Sequence, residues 1–220
     1  MHGGLRVNAT GRILITGFEP FDDVLNPSQV LVDSLREDLP APLRPFAARV
    51  ELGILPVDTE RIGERVADVL ADPPAYWLLT GQDAARGRIC VETRAVNRRS
   101  FGGPDNTGRL IRDEAVVDGA PDELVVSMPG VADVVAELCE RGIVARVSDD
   151  AGTYLCNQAL YLALYLTSSG DGDRPSVHTG FVHLPLLPEQ ALRRSDDLAS
   201  MPLETMREAL AHIIVKLAAT

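Results

Sequence analysis

Ser148 to Tyr161, SDDAGTYLCNQALY, decides how the chain is built. The stretch follows the apolar run Ile143 to Val147 (IVARV), passes through a small-residue turn and enters a pattern with Leu160, Leu164 and Tyr165 at helical spacing. The reading is strand, sharp turn through Gly152, helix. Cys156 stands where that helix begins. Free amides and the positive end of the dipole at a helix N-terminus favour a thiolate, and the same amides can hold an oxyanion. Cys156 is therefore either a nucleophile or a small buried hydrophobe, and residues elsewhere must choose between the two.

Outward from this unit the alternation repeats. Arg12 to Thr16 (RILIT) and Ala75 to Gly81 (AYWLLTG) are short apolar runs closed by glycine, as buried strands opening into loops would be. Between them, Asn26-Pro27 caps a helix with Val30, Leu31, Leu35 and Leu39 on one stripe. Arg49 to Val57 reads as a further strand, and Asp58 caps a helix carrying Ile62, Val66, Val69 and Leu70. Arg88 to Val96 alternates as one strand, with Cys90, Glu92 and Arg94 on one face. Arg98 to Gly108 is a long loop, Leu124 to Met128 a short strand and Val131 to Arg141 a helix, with Cys139 beside its inner face as a structural residue. Ser168 to Arg174 is a flexible connection, Val177 to Leu184 the last strand, and Leu203 to Leu217 an amphipathic helix.

Strands alternating with helices predict a single-domain three-layer α/β/α sandwich around a mostly parallel, twisted sheet, spanning residues 12–220 behind a flexible tail of residues 1–11. Sites in such folds gather at strand carboxyl ends, where Gly17, Gly81, the Asp149 to Thr153 turn and His183 all fall. At 220 residues and 45% hydrophobic, with a mean hydropathy of +0.04, the chain can bury a core without disulfides or metal. Lys and Arg total 21 against 32 Asp and Glu, a net charge of −11, which argues against nucleic acid or an anionic membrane as partner. Neither a membrane-length apolar run nor a signal core is present, so the expected compartment is the cytoplasm. Three cysteines without close spacing make no disulfide framework.

A thiol attacking an amide needs a base that takes its proton and returns it to the leaving amine, and histidine suits that task. Of four histidines, His2 lies in the tail, His212 reads as exposed on the last helix, and His178 opens the last strand. His183, near the end of that strand and before Pro185, is the candidate base; a satisfied buried histidine is the other reading. Glu92, an acid within a strand-like run, is either solvated or paired inside, where it could orient an imidazole. No HExxH, CxxC, GxSxG, Walker or dinucleotide motif competes, and no metal or cofactor is expected.

The segments ILITGFEPFDDVLNPS, GQDAARGRICVETRAVN, PDNTG, VSDDAGTYLCNQALY and GFVHLP, in this order and spacing, resemble the pyroglutamyl peptidase I family of cysteine peptidases from about Ile13 to the final helix. The resemblance implies removal of N-terminal pyroglutamate from peptides through a thioester, with Cys156 as nucleophile, His183 as base and Glu92 orienting it. It also implies aromatic walls at Phe18 and Phe21, a polar base at Gln82 and lining by Tyr154 and Leu155. It further implies a homo-oligomer, dimer or tetramer, with Leu186 and Leu187 as candidate contact residues. Two departures stand out. Glu92 is followed by Thr93 with an arginine only at Arg94, and Gly102-Gly103 replaces a basic and an apolar residue before Pro104-Asp105-Asn106. Arg86, Arg88, Arg94, Arg98 and Arg99 are candidates to replace the missing cation, and the glycines predict a freer loop and a raised KM. The altered loop leaves a pocket-bearing binding or sensor protein of low turnover as the alternative. A phosphorylase-like transferase is disfavoured by the lack of a phosphate-cradling loop.

Overall fold

A computed structural model describes residues 11–168, 177–194 and 198–218. The expected tail, apart from Gly11, and the connection after Ser168 lie outside the described residues.

Three helix-free apolar runs form the spine. Strand β1 (Ile13–Phe18) is buried throughout and pairs in parallel with β2 (Val50–Leu55) and β3 (Tyr76–Gln82). The last strand of the chain, β8 (His178–Leu184), inserts beside β3, also in parallel, with Gly81 opposite His183. On the other side of β8, β4 (Ile89–Glu92) runs antiparallel to it and β7 (Ala145–Ser148) runs parallel to β4. The order of the six-stranded sheet is β2-β1-β3-β8-β4-β7.

Helices cover both faces, as buried parallel strands require. One face packs α1 (Pro27–Glu37), α3 (Val131–Glu140) and α6 (Leu203–Ala218) through Leu31, Val134, Ile213 and Ile214 onto Ile15, Leu78, Val91 and Val182. The opposite face packs α2 (Arg61–Ala71) and α4 (Leu155–Ser168) through Ile62, Val66 and Leu160 onto Leu14, Trp77, Leu79 and Phe181. Asn26 caps α1 as its sequence indicates, its side chain accepting from the Ser28 amide at 3.0 Å. Asp58 Oδ1 accepts from the amides of Glu60 and Arg61 at the start of α2.

Several expectations give way. The run from Arg88 to Val96 is two strands: the Thr93 amide makes the last bond of the β4–β7 ladder, to the Ser148 carbonyl, while the Thr93 carbonyl accepts from Val126, and β5 (Arg94–Val96) pairs with β6 (Glu123–Val125) in a separate two-stranded sheet. Because β4 and β7 oppose β8, Glu92 and Ser148 end their strands level with Phe181, at the middle of β8 and not at its carboxyl end. Cys139 is exposed, since α3 buries Val134, Val135 and Leu138, although its thiol donates to the Ala145 carbonyl at 3.4 Å. His212 is buried, drawn in by Glu137 at 2.7 Å. Leu186 and Leu187 are also buried, filling the chain's own core in place of a subunit contact.

Candidate active site

Antiparallel pairing places Cys90 opposite His183 and Glu92 opposite Phe181, so the four side chains share one face of the sheet. That register lets Glu92 reach His183 diagonally. Glu92 Oε1 is 2.8 Å from His183 Nδ1, and the two residues are 0% and 3% exposed. Glu92 is thus the acid paired inside, not the solvated one. A carboxylate against Nδ1 fixes the proton there and leaves Nε2 as the imidazole's free lone pair.

Cys156, the second residue of α4, projects onto the same face. Its sulfur lies so close to the sheet that a Cβ on Gly81 would stand 2.7 Å from it, and Gly81 pairs with His183. The turn that delivers it needs Gly152, whose φ of 75° lies in the left-handed region. Asn157, fully buried next to the thiol, ties α4 to β5: its amide group donates to the carbonyls of Val96 and Arg98 and accepts from the Val96 N–H. One residue on, Gln158 bonds the Thr59 hydroxyl and carbonyl. A polar pair inside a run of Leu, Ala and Tyr was the sequence signal for these anchors.

The electrostatics reverse one expectation. Burial, reinforced by the carboxylates of Asp83 and Glu92, pushes the Cys156 thiol up to about 12, against the opposing pull of Arg86. Desolvation outweighs Arg86 and the backbone hydrogen bond, both of which act to lower the value, and so favours the thiol form.

A cavity of about 680 Å³ is lined by Phe21, Asp22, the Gly102 to Asn106 loop and Tyr154, which stands two residues before Cys156. Phe21 and Tyr154 face one another with ring centroids 5.5 Å apart. Three of the expected pocket residues do not line this cavity and pack behind it. Phe18 packs in the core 6.4 Å from Phe181, Leu155 is 1% exposed among apolar neighbours, and Gln82 accepts from the Gln190 side chain at 3.0 Å. Gln190, on α5 (Pro188–Arg193), also donates to the Leu25 carbonyl and so ties the loop after β1 to Gln82. Nothing in the local pattern around Gln190 announced that role.

The loop carrying the glycine pair is tied down beyond it. Asp105 accepts from the amides of Thr59, Thr107 and Arg109, while Tyr154 donates to the Pro104 carbonyl at 3.0 Å. Burial pushes the Asp105 carboxyl up, but these hydrogen bonds outweigh it and hold the group below the ordinary aspartate value. Among the arginines that might replace the missing cation, Arg94, Arg98 and Arg99 pair with Glu123, Asp113 and Glu114, and Arg88 is exposed. Arg86 reaches Glu92 at 2.8 Å. Among the described residues, no three or more His, Cys, Asp or Glu side chains group to hold a metal ion, and no helix is long and apolar enough to cross a membrane.

A half-buried thiol on the same sheet face as an imidazole held by a carboxylate, on a three-layer α/β/α scaffold, defines a cysteine hydrolase. The pyroglutamyl peptidase family model matches residues 11–219, and the chain belongs to that family. It is 38% identical over 202 residues to the pyrrolidone-carboxylate peptidase of Coprothermobacter proteolyticus, covering 90% of this chain and 93% of that one. The Thermococcus onnurineus protein of the same name is 35% identical, with 92% and 96% covered. Among solved structures, the pyrrolidone carboxyl peptidase of Thermus thermophilus superposes with a TM-score of 0.80 at 37% identity, over 92% of this chain and 98% of that one. Pyroglutamyl peptidase I of Bacillus amyloliquefaciens gives 0.81 at 28% identity, over 96% and 98%. None of these relatives is named as a binding or sensor protein.

Proposed function

We propose that the chain is a cysteine exopeptidase that removes N-terminal pyroglutamate from peptides, with Cys156 as nucleophile, His183 as base and Glu92 as the group that orients it. The observation that carries the reading is the Glu92 to His183 contact of 2.8 Å on the sheet face where Cys156 rests against Gly81. The names of the relatives supply the substrate class.

Cys156 Sγ adds to the pyroglutamyl carbonyl carbon as its proton passes to His183 Nε2, and the Cys156 amide helps hold the oxyanion. Collapse breaks the carbon–nitrogen bond, and the imidazolium gives its proton to the departing amine. Water then adds to the thioester while His183 takes one of its protons. Collapse releases pyroglutamate, and the sulfur regains a proton from His183. Because the thiol is neutral at rest, proton transfer accompanies attack. Phe21 and Tyr154 wall the uncharged lactam, with Phe18, Gln82 and Leu155 supporting the floor.

The same reading makes residues 12–220 a single peptidase domain. It places the protein in the cytoplasm, as three free cysteines favour, and makes it a homo-oligomer. Exposed Val144 and Val147 at the β7 edge support contact with a second copy there.

Release of a fluorescent amine from a pyroglutamyl amide, measured under reducing conditions for wild type and Cys156→Ala, tests the proposal. Hydrolysis by wild type that disappears in the variant supports it. No hydrolysis by either protein overturns it.

A further inference from the structure

Arg86 links the strand that carries Glu92 to the turn that leads into Cys156. Its Nε pairs with Asp83, just beyond β3, and its Nη1 donates to Glu92 Oε1 at 2.8 Å and to Ser148 Oγ at 3.0 Å. Nη2 donates to the Asp150 carbonyl, inside the turn that delivers Cys156. The side chain is 11% exposed against 0% for Glu92, so water screens the pair little.

We propose that Arg86 is a positioning residue for the reaction: it sets the proton affinity of the Glu92–His183 pair and locks the nucleophile turn in register with that pair. The inference rests on the roles assigned above to Cys156, His183 and Glu92. Its main support is a convergence of bonds. Arg86 Nη1 and His183 Nδ1 both meet Glu92 Oε1, whereas Glu92 Oε2, though buried, has no hydrogen-bond partner among the described residues. One oxygen is shared between a permanent cation and the imidazole. The charge that would stabilise an imidazolium is therefore already partly neutralised by the guanidinium.

The other charged and titratable groups around the pair are Asp83 from the turn after β3, Cys90 from β4 and Cys156 from α4. Arg146 of β7 donates to Cys90 Sγ at 3.3 Å. Asp150 takes part through its carbonyl. Arg86 is the cation in direct contact with the carboxylate. Burial acts to lower its proton affinity, but Cys90, Glu92 and Asp83 more than compensate, and the guanidinium stays charged at every working pH.

A scaffold role alone predicts lower activity with unchanged titration; the proposed role predicts a shift. The test is an NMR titration of the His183 imidazole, assigned by comparison with His183→Gln, in wild type, Arg86→Gln, Arg86→Lys and Asp83→Asn. Removing the cation stabilises the protonated pair, so Arg86→Gln moves the His183 midpoint up by about one pH unit or more. Arg86→Lys keeps the charge and holds the midpoint near wild type, yet lowers kcat because an ammonium lacks the fork that spans Glu92, Ser148 and Asp150. Asp83→Asn, which keeps an acceptor for the Ala85 amide, moves the midpoint down. This variant supplies the test if Arg86→Gln does not fold. Midpoints unchanged in Arg86→Gln and Asp83→Asn would overturn the proposal. The titration needs no turnover, so absence of peptidase activity in wild type counts against the proposed function and not against the role of Arg86.

Discussion

Gly81 and Cys156 compete for one space: a methyl group on the glycine would stand 2.7 Å from the sulfur and 2.9 Å from the Phe181 ring. The sheet can hold the thiol at the level of His183 only because β3 has no side chain there. Gly81→Ala should therefore push Cys156 off its position while leaving α4 in place. An expected drop of about 100-fold in kcat/KM, with about 1–3 kcal/mol of lost stability, would be read from amide hydrolysis and urea unfolding. Unchanged kcat/KM would mean that the thiol is not placed by this contact.

The neutral thiol has a pH signature. Because burial pushes Cys156 up to about 12, the thiolate fraction keeps growing through the whole alkaline range. Inactivation by iodoacetamide should rise roughly tenfold per pH unit from about pH 7 to about pH 10 without levelling off. A plateau below about pH 9 would reveal an ion pair already formed with His183.

Asp105 supplies an acid-sensitive clamp. Its carboxyl is held below the ordinary value of 3.8, so the ionised form is the one the fold prefers. Its contribution is complete above that value and is lost as pH falls through the native one. Asp105→Ala should cost about 1–3 kcal/mol at neutral pH, with the gap to wild type closing in strong acid. Thermal melts of both proteins across the acid range would show it.

The glycine pair can be refilled. A Cβ on Gly102 meets nothing within 4 Å, so Gly102→Arg should fold with an unchanged Tm and extend into the cavity beside Tyr154. A lower KM for a pyroglutamyl amide is expected, and a KM equal to wild type would show that no cation is wanted there.

Local pattern revealed most of the elements but not their directions. Gly17, Gly81 and the Asn26 cap were legible because each obeys a short-range rule. The reversal of β4 and β7 was not, since a strand of four residues reads the same in either direction. The break at Thr93 is invisible to periodicity: a β-branched residue continues the alternation, and the change of sheet shows only in its carbonyl, which accepts from Val126 beside β6. Cys156, His183 and Glu92 were legible as a motif, and of these the structure brings Glu92 and His183 into contact. Arg86 was one arginine among several, because its role depends on Ser148 and Asp150, more than 60 positions away. His212 and Cys139 were misjudged for a related reason: the first meets a partner on another helix, and the face that α3 buries, Val134, Val135 and Leu138, leaves the second exposed.

The last strand of the chain is also a middle strand of the sheet, with β3 on one side and β4 on the other. During synthesis, everything up to α4 can be made while that slot is still empty, leaving two partial sheets with facing open edges. His183 reaches Glu92 across 91 positions of sequence, so the site closes only when this late segment slides between them. A chain stopped before β8 would carry Cys156 and Glu92 without His183, and it would expose the unpaired edges from which aggregation starts. The contact between Glu92 and His183 thus arrives at the end of folding.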